Sequence, residues 1–190
     1  MSDLNAVKAE ARKAAKLTRK TAKAAAPDAA MRAKEHFLSS IEFGPDDIVS
    51  GYRPIFSELD PSPLLEALHA RGIRLCVPVI DGPARPLRFA LWTPHTPMIE
   101  GAFGAEIPAQ LERVEPTIII APMLSFDRHG YRLGYGGGFY DRTLEKLRAL
   151  RPTRAYGYAY AAQEVPEVPI EPTDQRLDGV VTEAGLMSGQ

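Results

Sequence analysis

The 190-residue sequence is poor in cysteine, tryptophan and histidine, with one Cys (Cys76), one Trp (Trp92) and four His. A lone cysteine excludes an internal disulfide and a zinc site built on several thiolates. Cys76 lies in the apolar run 73–80 beside Val77, the setting of a buried, inert thiol. No apolar stretch approaches the ~18 residues of a membrane span, so no membrane partner is expected. Charge of one sign is also missing. The chain carries 23 Lys and Arg against 24 Asp and Glu, a formal net charge of −1. That balance gives no global attraction to nucleic acid or to an anionic membrane. No internal repeat and no linker-like stretch divides the chain, so residues 1–190 read as one domain.

What charge there is lies unevenly. Residues 1–23 hold Lys8, Arg12, Lys13, Lys16, Arg19, Lys20 and Lys23 against Asp3 and Glu10. This start has some likeness to an organelle presequence, but it contains acids and lacks serine richness, so cytoplasmic residence is expected. Residues 3–26 have high helix propensity, no internal Gly or Pro, and Asp3 as a cap. Leu4, Val7 and Leu17 are the only large apolar side chains there. Such a helix buries little by itself, and its cations face either solvent or an anion. Pro27 ends it and opens a second helix over 28–39.

From there strands and helices alternate. Strands are predicted at 47–52, 73–80, 86–93, 117–121, 154–160 and 177–182, and helices at 63–71 and 139–150. Residues 94–113 read as Pro/Gly-punctuated loop or short helix, and 163–174 as a Pro-rich connection. The alternation predicts an α/β fold: a three-layer α/β/α domain with a mainly parallel central sheet, preceded by the basic helix. In such sheets ligands bind at the carboxyl ends of strands. Attention therefore falls on the segment after Thr-Ile-Ile-Ile-Ala121, a strand apolar enough to be buried on both faces.

That segment reads Pro-Met-Leu-Ser-Phe-Asp127-Arg-His-Gly130-Tyr-Arg132-Leu-Gly134-Tyr-Gly136-Gly137-Gly138-Phe-Tyr140-Asp141. Four glycines in five positions let backbone N–H groups turn toward one point and a bulky anion come close. The helix predicted next adds its unpaired amides and partial positive charge. Arg132 offers a fork for phosphate oxygens, and Asp141 a carboxylate for Mg²⁺. By spacing alone a flexible turn remains an alternative. The run is neither a P-loop, having no Gly-Lys-Ser/Thr, nor a dinucleotide fingerprint, since Phe139 replaces the third glycine.

The run resembles the signature of the 5-formyltetrahydrofolate cyclo-ligases, Phe-Asp-x-x-Gly-x-Arg-Leu-Gly-x-Gly-x-Gly-Tyr-Tyr-Asp. It departs from it only at Phe139, a ring in place of tyrosine. The likeness reaches both ends of the chain. Lys8-Ala-Glu-Ala-Arg12 is similar to the family's Lys-x-x-Leu-Arg, with Ala11 for the leucine. Tyr52-Arg-Pro-Ile-Phe-Ser-Glu58-Leu-Asp60 is similar to Tyr-x-Pro-x-x-x-Glu-x-Asp, and Asp174-x-x-x-Asp178-x-Val-Val-Thr182 to the closing strand.

The resemblance implies an ATP- and Mg²⁺-dependent ligase that converts 5-formyltetrahydrofolate to 5,10-methenyltetrahydrofolate through a phosphorylated formyl group. It implies that Lys8, Arg12, Arg132, Leu133, Gly134, Tyr135, Gly136, Gly137, Gly138, Phe139 and Tyr140 hold ATP. Arg132 and Tyr140 would serve the transfer itself. Arg53, Glu58, Tyr135, Gly136, Gly137, Gly138 and Phe139 would meet the folate, with Glu58 accepting two parallel hydrogen bonds from the pterin edge. Asp141 and Asp178 would hold Mg²⁺. Lys13, Lys16, Arg19, Lys20 and Lys23 are left as a solvated basic face. Trp92 and Tyr140 also read as core, and His129 receives no acid/base duty. A monomer or weak homodimer without nucleic acid is expected. Two other readings stay open: an ATP-dependent enzyme on another formylated or pterin-like substrate, and a non-catalytic folate- or nucleic-acid-binding module.

Overall fold

In the computed structural model, which describes residues 2–189, the chain begins with helix α1 (Ser2–Ala25) and continues into α2 (Ala29–Ser40). The side chain of Asp3, the expected cap, lies outside the described residues. Strand β1 (Ile48–Ser50), helix α3 (Ser62–Ala70) and strand β2 (Arg74–Val79) come next, and then β3 (Arg88–Trp92). The predicted loop 94–113 instead holds a hairpin, β4 (Met98–Glu100) with β5 (Glu106–Pro108), and the short strand β6 (Arg113–Val114). Strand β7 (Ile118–Ala121) leads through a short hairpin, β8 (Ser125–Phe126) with β9 (Arg132–Leu133), to helix α4 (Phe139–Leu150). Strands β10 (Arg154–Tyr158), β11 (Gly179–Thr182) and β12 (Gly185–Ser188) complete the described chain.

The main sheet runs β12-β11-β10-β7-β1-β2-β3-β6. Its middle, β11-β10-β7-β1-β2, is parallel throughout, and antiparallel partners close both flanks. Period-2 alternation along β7 divides the core between the two faces. Ile118 and Ile120 pack with Phe37 of α2 and with Leu64, Leu65 and Leu68 of α3. Ile119 and Ala121 pack with Leu144 and Leu147 of α4. The result is the expected α/β/α sandwich. Phe37 meets Tyr156 and Tyr158 edge-on, at 5.8 and 6.4 Å between centroids, and fastens α2 to β10.

The order of the strands matters for function. From β1 the chain crosses through α3 to β2 on one side, and from β7 it crosses through α4 to β10 on the other. The topology therefore switches direction between β1 and β7, the place where a parallel sheet opens a crevice at its carboxyl edge.

Helix α1 packs by an unusual stripe. Lys8, Ala15, Arg19 and Ala22 are buried and Arg12 is half-buried, at spacings of four, three, four and three that keep them on one face. Of the large apolar residues of the helix, Val7 and Leu17 lie off that face, 47% and 68% exposed, and only Leu4 is half-buried. Leu68→Ala, which empties a fully buried site, is expected to cost about 3 kcal/mol, whereas Leu17→Ala should change stability by less than about 0.5 kcal/mol. Urea denaturation of both variants checks this. Equal losses would show that α1 is held by its apolar residues after all.

Candidate functional site

A cleft of about 560 Å³ opens at the carboxyl ends of β1, β2 and β7. Tyr52 and Arg53 enter it from the exit of β1, Pro78 and Ile80 from β2, and Pro122 from β7. The glycine loop 134–138 and the first turn of α4 form one wall, α1 another, and the β4–β5 hairpin part of the rim. Of the residues predicted from sequence, Lys8, Arg12, Arg53, Glu58, Arg132, Leu133, Gly134, Tyr135, Gly136, Gly137, Gly138, Phe139, Tyr140 and Asp141 all line this one cleft. Residues up to 133 positions apart in the chain thus converge on one crevice.

The glycine loop takes its shape from two positive φ angles. Gly136 sits at φ 98°, and a Cβ there would fall 3.1 Å from the guanidinium carbon of Arg12. Gly138, the residue before α4, is left-handed at φ 62°, and a Cβ there would fall 2.6 Å from Arg142 Nη1. Both positions favour glycine on conformation and on space. Arg12 Nε donates to the Gly134 carbonyl at 3.0 Å, and Arg142 Nη2 donates to the Gly137 carbonyl. Because a peptide N–H points opposite its carbonyl, pinning these oxygens turns the adjoining amides the other way. Gly138, at the cap position of α4, makes no side-chain cap hydrogen bond, and the amino end of a helix favours an anion through its dipole.

The cations of the site are already paired. Arg132, its side chain 5% exposed, donates to Asp141 Oδ1 at 2.7 Å and to the Gln175 carbonyl at 2.7 Å. Lys8 Nζ lies 2.8 Å from Asp174 Oδ2 and 3.1 Å from Glu171 Oε2, and both acids line the cleft. Arg53 is bound to Glu106 of the β4–β5 hairpin at 2.9 Å. Glu58 is 3% exposed. Its Oε2 accepts the Ile55 amide at 2.8 Å, and its Oε1 stands 3.8 Å from Arg19. Burial pushes its carboxyl up to about 7, against the Ile55 hydrogen bond and the Arg19 charge that pull it down. Burial likewise raises the Tyr140 phenol well above its ordinary value, so that hydroxyl stays protonated.

The structure departs from the sequence expectations at three points. Asp178 does not reach the cleft. It stands just before β11, at the amino end of the parallel strands, where it accepts the Ala155 amide at 2.7 Å and pairs with Arg148 at 3.0 Å. Arg19 is not part of a solvated face. It is 1% exposed and bonded to Ser57, Met123 and Tyr135. Asp174 and Glu171, given no role from sequence, hold Lys8. The helical stripe Lys8–Arg12–Ala15–Arg19 is the signal that could have found Arg19. Asp174 stands in the recognised tail pattern without a physical reason to single it out.

Asp127, fixed in the signature, proves to be architectural. Its Oδ1 accepts the amides of His129 and Tyr131 and its Oδ2 that of Val168, which ties the β8–β9 turn to the Pro-rich connection. Arg132 is thereby aimed from a short strand into the cleft while its backbone pairs with Phe126.

Known proteins resemble the chain in sequence and in fold. The sequence profile of the 5-formyltetrahydrofolate cyclo-ligase family matches residues 5–183. The chain is 36% identical to the 5-formyltetrahydrofolate cyclo-ligase of Escherichia coli K12 over 133 residues, 66% of this chain and 71% of that one. It is 32% identical to the enzyme of that name from Haemophilus influenzae over 149 residues, 75% and 79% of the two chains. The solved structure of Aquifex aeolicus 5,10-methenyltetrahydrofolate synthetase superposes with a TM-score of 0.78 at 27% identity, covering 97% of this chain and 93% of the other. A Mycoplasma pneumoniae protein of the same name shares the fold, with a TM-score of 0.72 at 22% identity over 93% and 98% of the two chains. A cleft built on the family's own signature, in the family's fold and over nearly the whole chain, leaves one assignment: the chain belongs to the 5-formyltetrahydrofolate cyclo-ligase family, ligases of folate metabolism that convert 5-formyltetrahydrofolate to 5,10-methenyltetrahydrofolate.

Proposed function

We propose that the chain performs this conversion with consumption of MgATP, through a phosphorylated formyl group, at the cleft between α1, the glycine loop and Glu58. The observation that carries the reading is the meeting of the glycine loop, the amino end of α4 and a buried carboxylate in one crevice. The formyl oxygen of an N-formyl amide is a poor leaving group. Its attack on the γ-phosphorus breaks the bond to ADP and makes that oxygen part of a phosphate. The second folate nitrogen then attacks the formyl carbon and gives up its proton, and inorganic phosphate departs with the oxygen. Such transfer depends on alignment and charge neutralisation more than on a strong base.

The residues divide the work accordingly. Loop amides 134–138 and the amino end of α4 cradle phosphate oxygens. Lys8 and Arg12 reach the triphosphate from α1, and Arg132 meets the group in transfer. Tyr140, kept protonated by burial, donates a hydrogen bond there. Mg²⁺, when bound with the nucleotide, neutralises and orients the phosphates. The fit for it is partial. Both hydrogen bonds to Asp141 arrive at Oδ1, which leaves Oδ2 for an ion. No group of three His, Cys, Asp or Glu is gathered as a cage among the described residues. That suits an ion held by one protein carboxylate, phosphates and water, and it leaves Asp178 out. Glu58 takes the pterin edge, Arg53 the anionic end of the folate, and Tyr135 and Phe139 stack on its rings. We place the protein in the cytoplasm as a monomer or weak homodimer, one catalytic unit over 1–190.

A direct assay supplies 5-formyltetrahydrofolate and MgATP and tracks the absorbance of the methenyl product. Product should form only with nucleotide and Mg²⁺ present. Folded protein that makes none would sink the reading. Arg132→Met should lower kcat by about 10²-fold or more with smaller change in KM, the mark of an interaction made in the transition state.

Glu58 gives a pH test with a definite sign. The pterin edge is held by the ionised carboxylate, so KM for folate should fall as pH rises through about 7. In Glu58→Gln that dependence should vanish and KM rise, while nucleotide affinity stays. Stability moves the other way. A carboxyl raised from 4.5 to about 7 favours the folded state below pH 4.5 and loses that advantage as pH climbs to about 7. Thermal melts should therefore show Glu58→Gln gaining on the parent by up to about 3 kcal/mol across that window.

A further inference from the structure

The charged residues of α1 fall into two groups along its axis. Lys8 and Arg12 line the cleft, whereas Arg19, about three turns beyond Lys8, stands behind the lining residues and is nearly inaccessible. A buried guanidinium is costly unless its donors are met. Here they are met from three separate segments. Nε donates to Ser57 Oγ at 3.1 Å, beside Glu58. Nη1 donates to the Met123 carbonyl at 3.0 Å, just past β7, and stands 3.8 Å from Glu58 Oε1. Nη2 bonds the hydroxyl of Tyr135, and the guanidinium also sits 5.4 Å from the centre of that ring.

We infer that Arg19 is a positioning residue for the folate end of the cleft: it holds Glu58 and the ring of Tyr135 in fixed register against the exit of β7. The inference rests on the proposed role of Glu58 as the pterin acceptor. A brace of this kind needs a fork with fixed directions, which lysine lacks. It also needs a cation, because burial disfavours the Glu58 charge. The phenols that feel that charge, Tyr52 just past β1, Tyr140 of α4 and Tyr135 of the glycine loop, are themselves raised by burial and by Glu58, stay neutral, and bring no countercharge. Among the described residues Arg19 is the cation whose charge acts to keep the carboxylate ionised.

The test uses the full chain, labelled with ¹³C-glutamate, and tracks the Glu58 carboxyl carbon with pH in the absence of any ligand; Glu58→Gln assigns the signal. The parent should titrate near 7. In Arg19→Met the midpoint should rise by about one unit or more, and in Arg19→Lys it should stay within about half a unit. Steady-state assays of Arg19→Lys should then show KM for 5-formyltetrahydrofolate raised about tenfold and KM for ATP changed by less than about twofold, because charge is kept and direction lost. A midpoint unmoved in Arg19→Met overturns the inference. So does a parallel rise of both KM values in Arg19→Lys, the result of a merely structural role, and this decides the matter if Arg19→Met does not fold. Absence of turnover in the parent would instead refute the proposed activity, and the ligand-free titration would still decide whether Arg19 governs Glu58.

Discussion

Helix α1 is fastened to the body by charge. The buried apolar residues of its contact face are Ala15 and Ala22, which remove little surface from water. Arg19 bonded to Met123, Ser57 and Tyr135, Arg12 to Gly134, and Lys8 to Asp174 and Glu171 hold the helix across the open edge of the sheet. Each of these partners belongs to a loop that lines or supports the cleft. The bonds that dock the helix are therefore the bonds that shape the site. A helix docked by a broad apolar stripe would leave those loops independent of it.

This arrangement places the site in a balanced electrostatic state before any ligand arrives. Lys8 is matched by two carboxylates, Arg132 by Asp141, Arg53 by Glu106 and Arg19 by Glu58. A triphosphate brought to such a cleft exchanges one set of anions for another and does not fill a naked positive hole. The backbone amides of the glycine loop are different: they have no counter-ion to lose, and their direction is set by carbonyls pinned from Arg12 and Arg142. On the proposed reading, phosphate would gain most from the amides, with the side-chain cations re-partnering around them.

Much of this is legible in the sequence, for reasons that can be named. Strand β7 announces itself by consecutive apolar residues that only a doubly covered strand accommodates, and α4 by the glycines before it and the helical period within it. Because the switch point lies between β1 and β7, a correct reading of those two elements places the site. Strands β4 and β5 escape such a reading because Pro94, Pro97, Gly101, Gly104 and Pro108 punctuate a ladder only three residues long. The predicted strand 177–182 starts late, since the Leu177 amide bonds the Gly130 carbonyl instead of a neighbouring strand. Arg19 escapes when the helix is weighed through its large apolar residues, of which Val7 and Leu17 face solvent, because the buried stripe is built of cations and alanine.

Asp178 and Asp127 show that a place in a motif does not by itself define the work of an acid. Both are acidic residues of a family-like motif, and both accept backbone amides: Asp127 from His129, Tyr131 and Val168, and Asp178 from Ala155. An aspartate that satisfies otherwise orphaned amides at a turn or strand end serves the fold as directly as a ligand serves a site, since each buried N–H left unmet costs about 1–3 kcal/mol. Asp141 differs because, among the described residues, its hydrogen-bonding neighbours meet only one of its oxygens, at the mouth of α4 within the cleft. What separates a structural carboxylate from a chemical one here is neither its identity nor its spacing but whether its hydrogen-bonding capacity is exhausted by the chain that carries it.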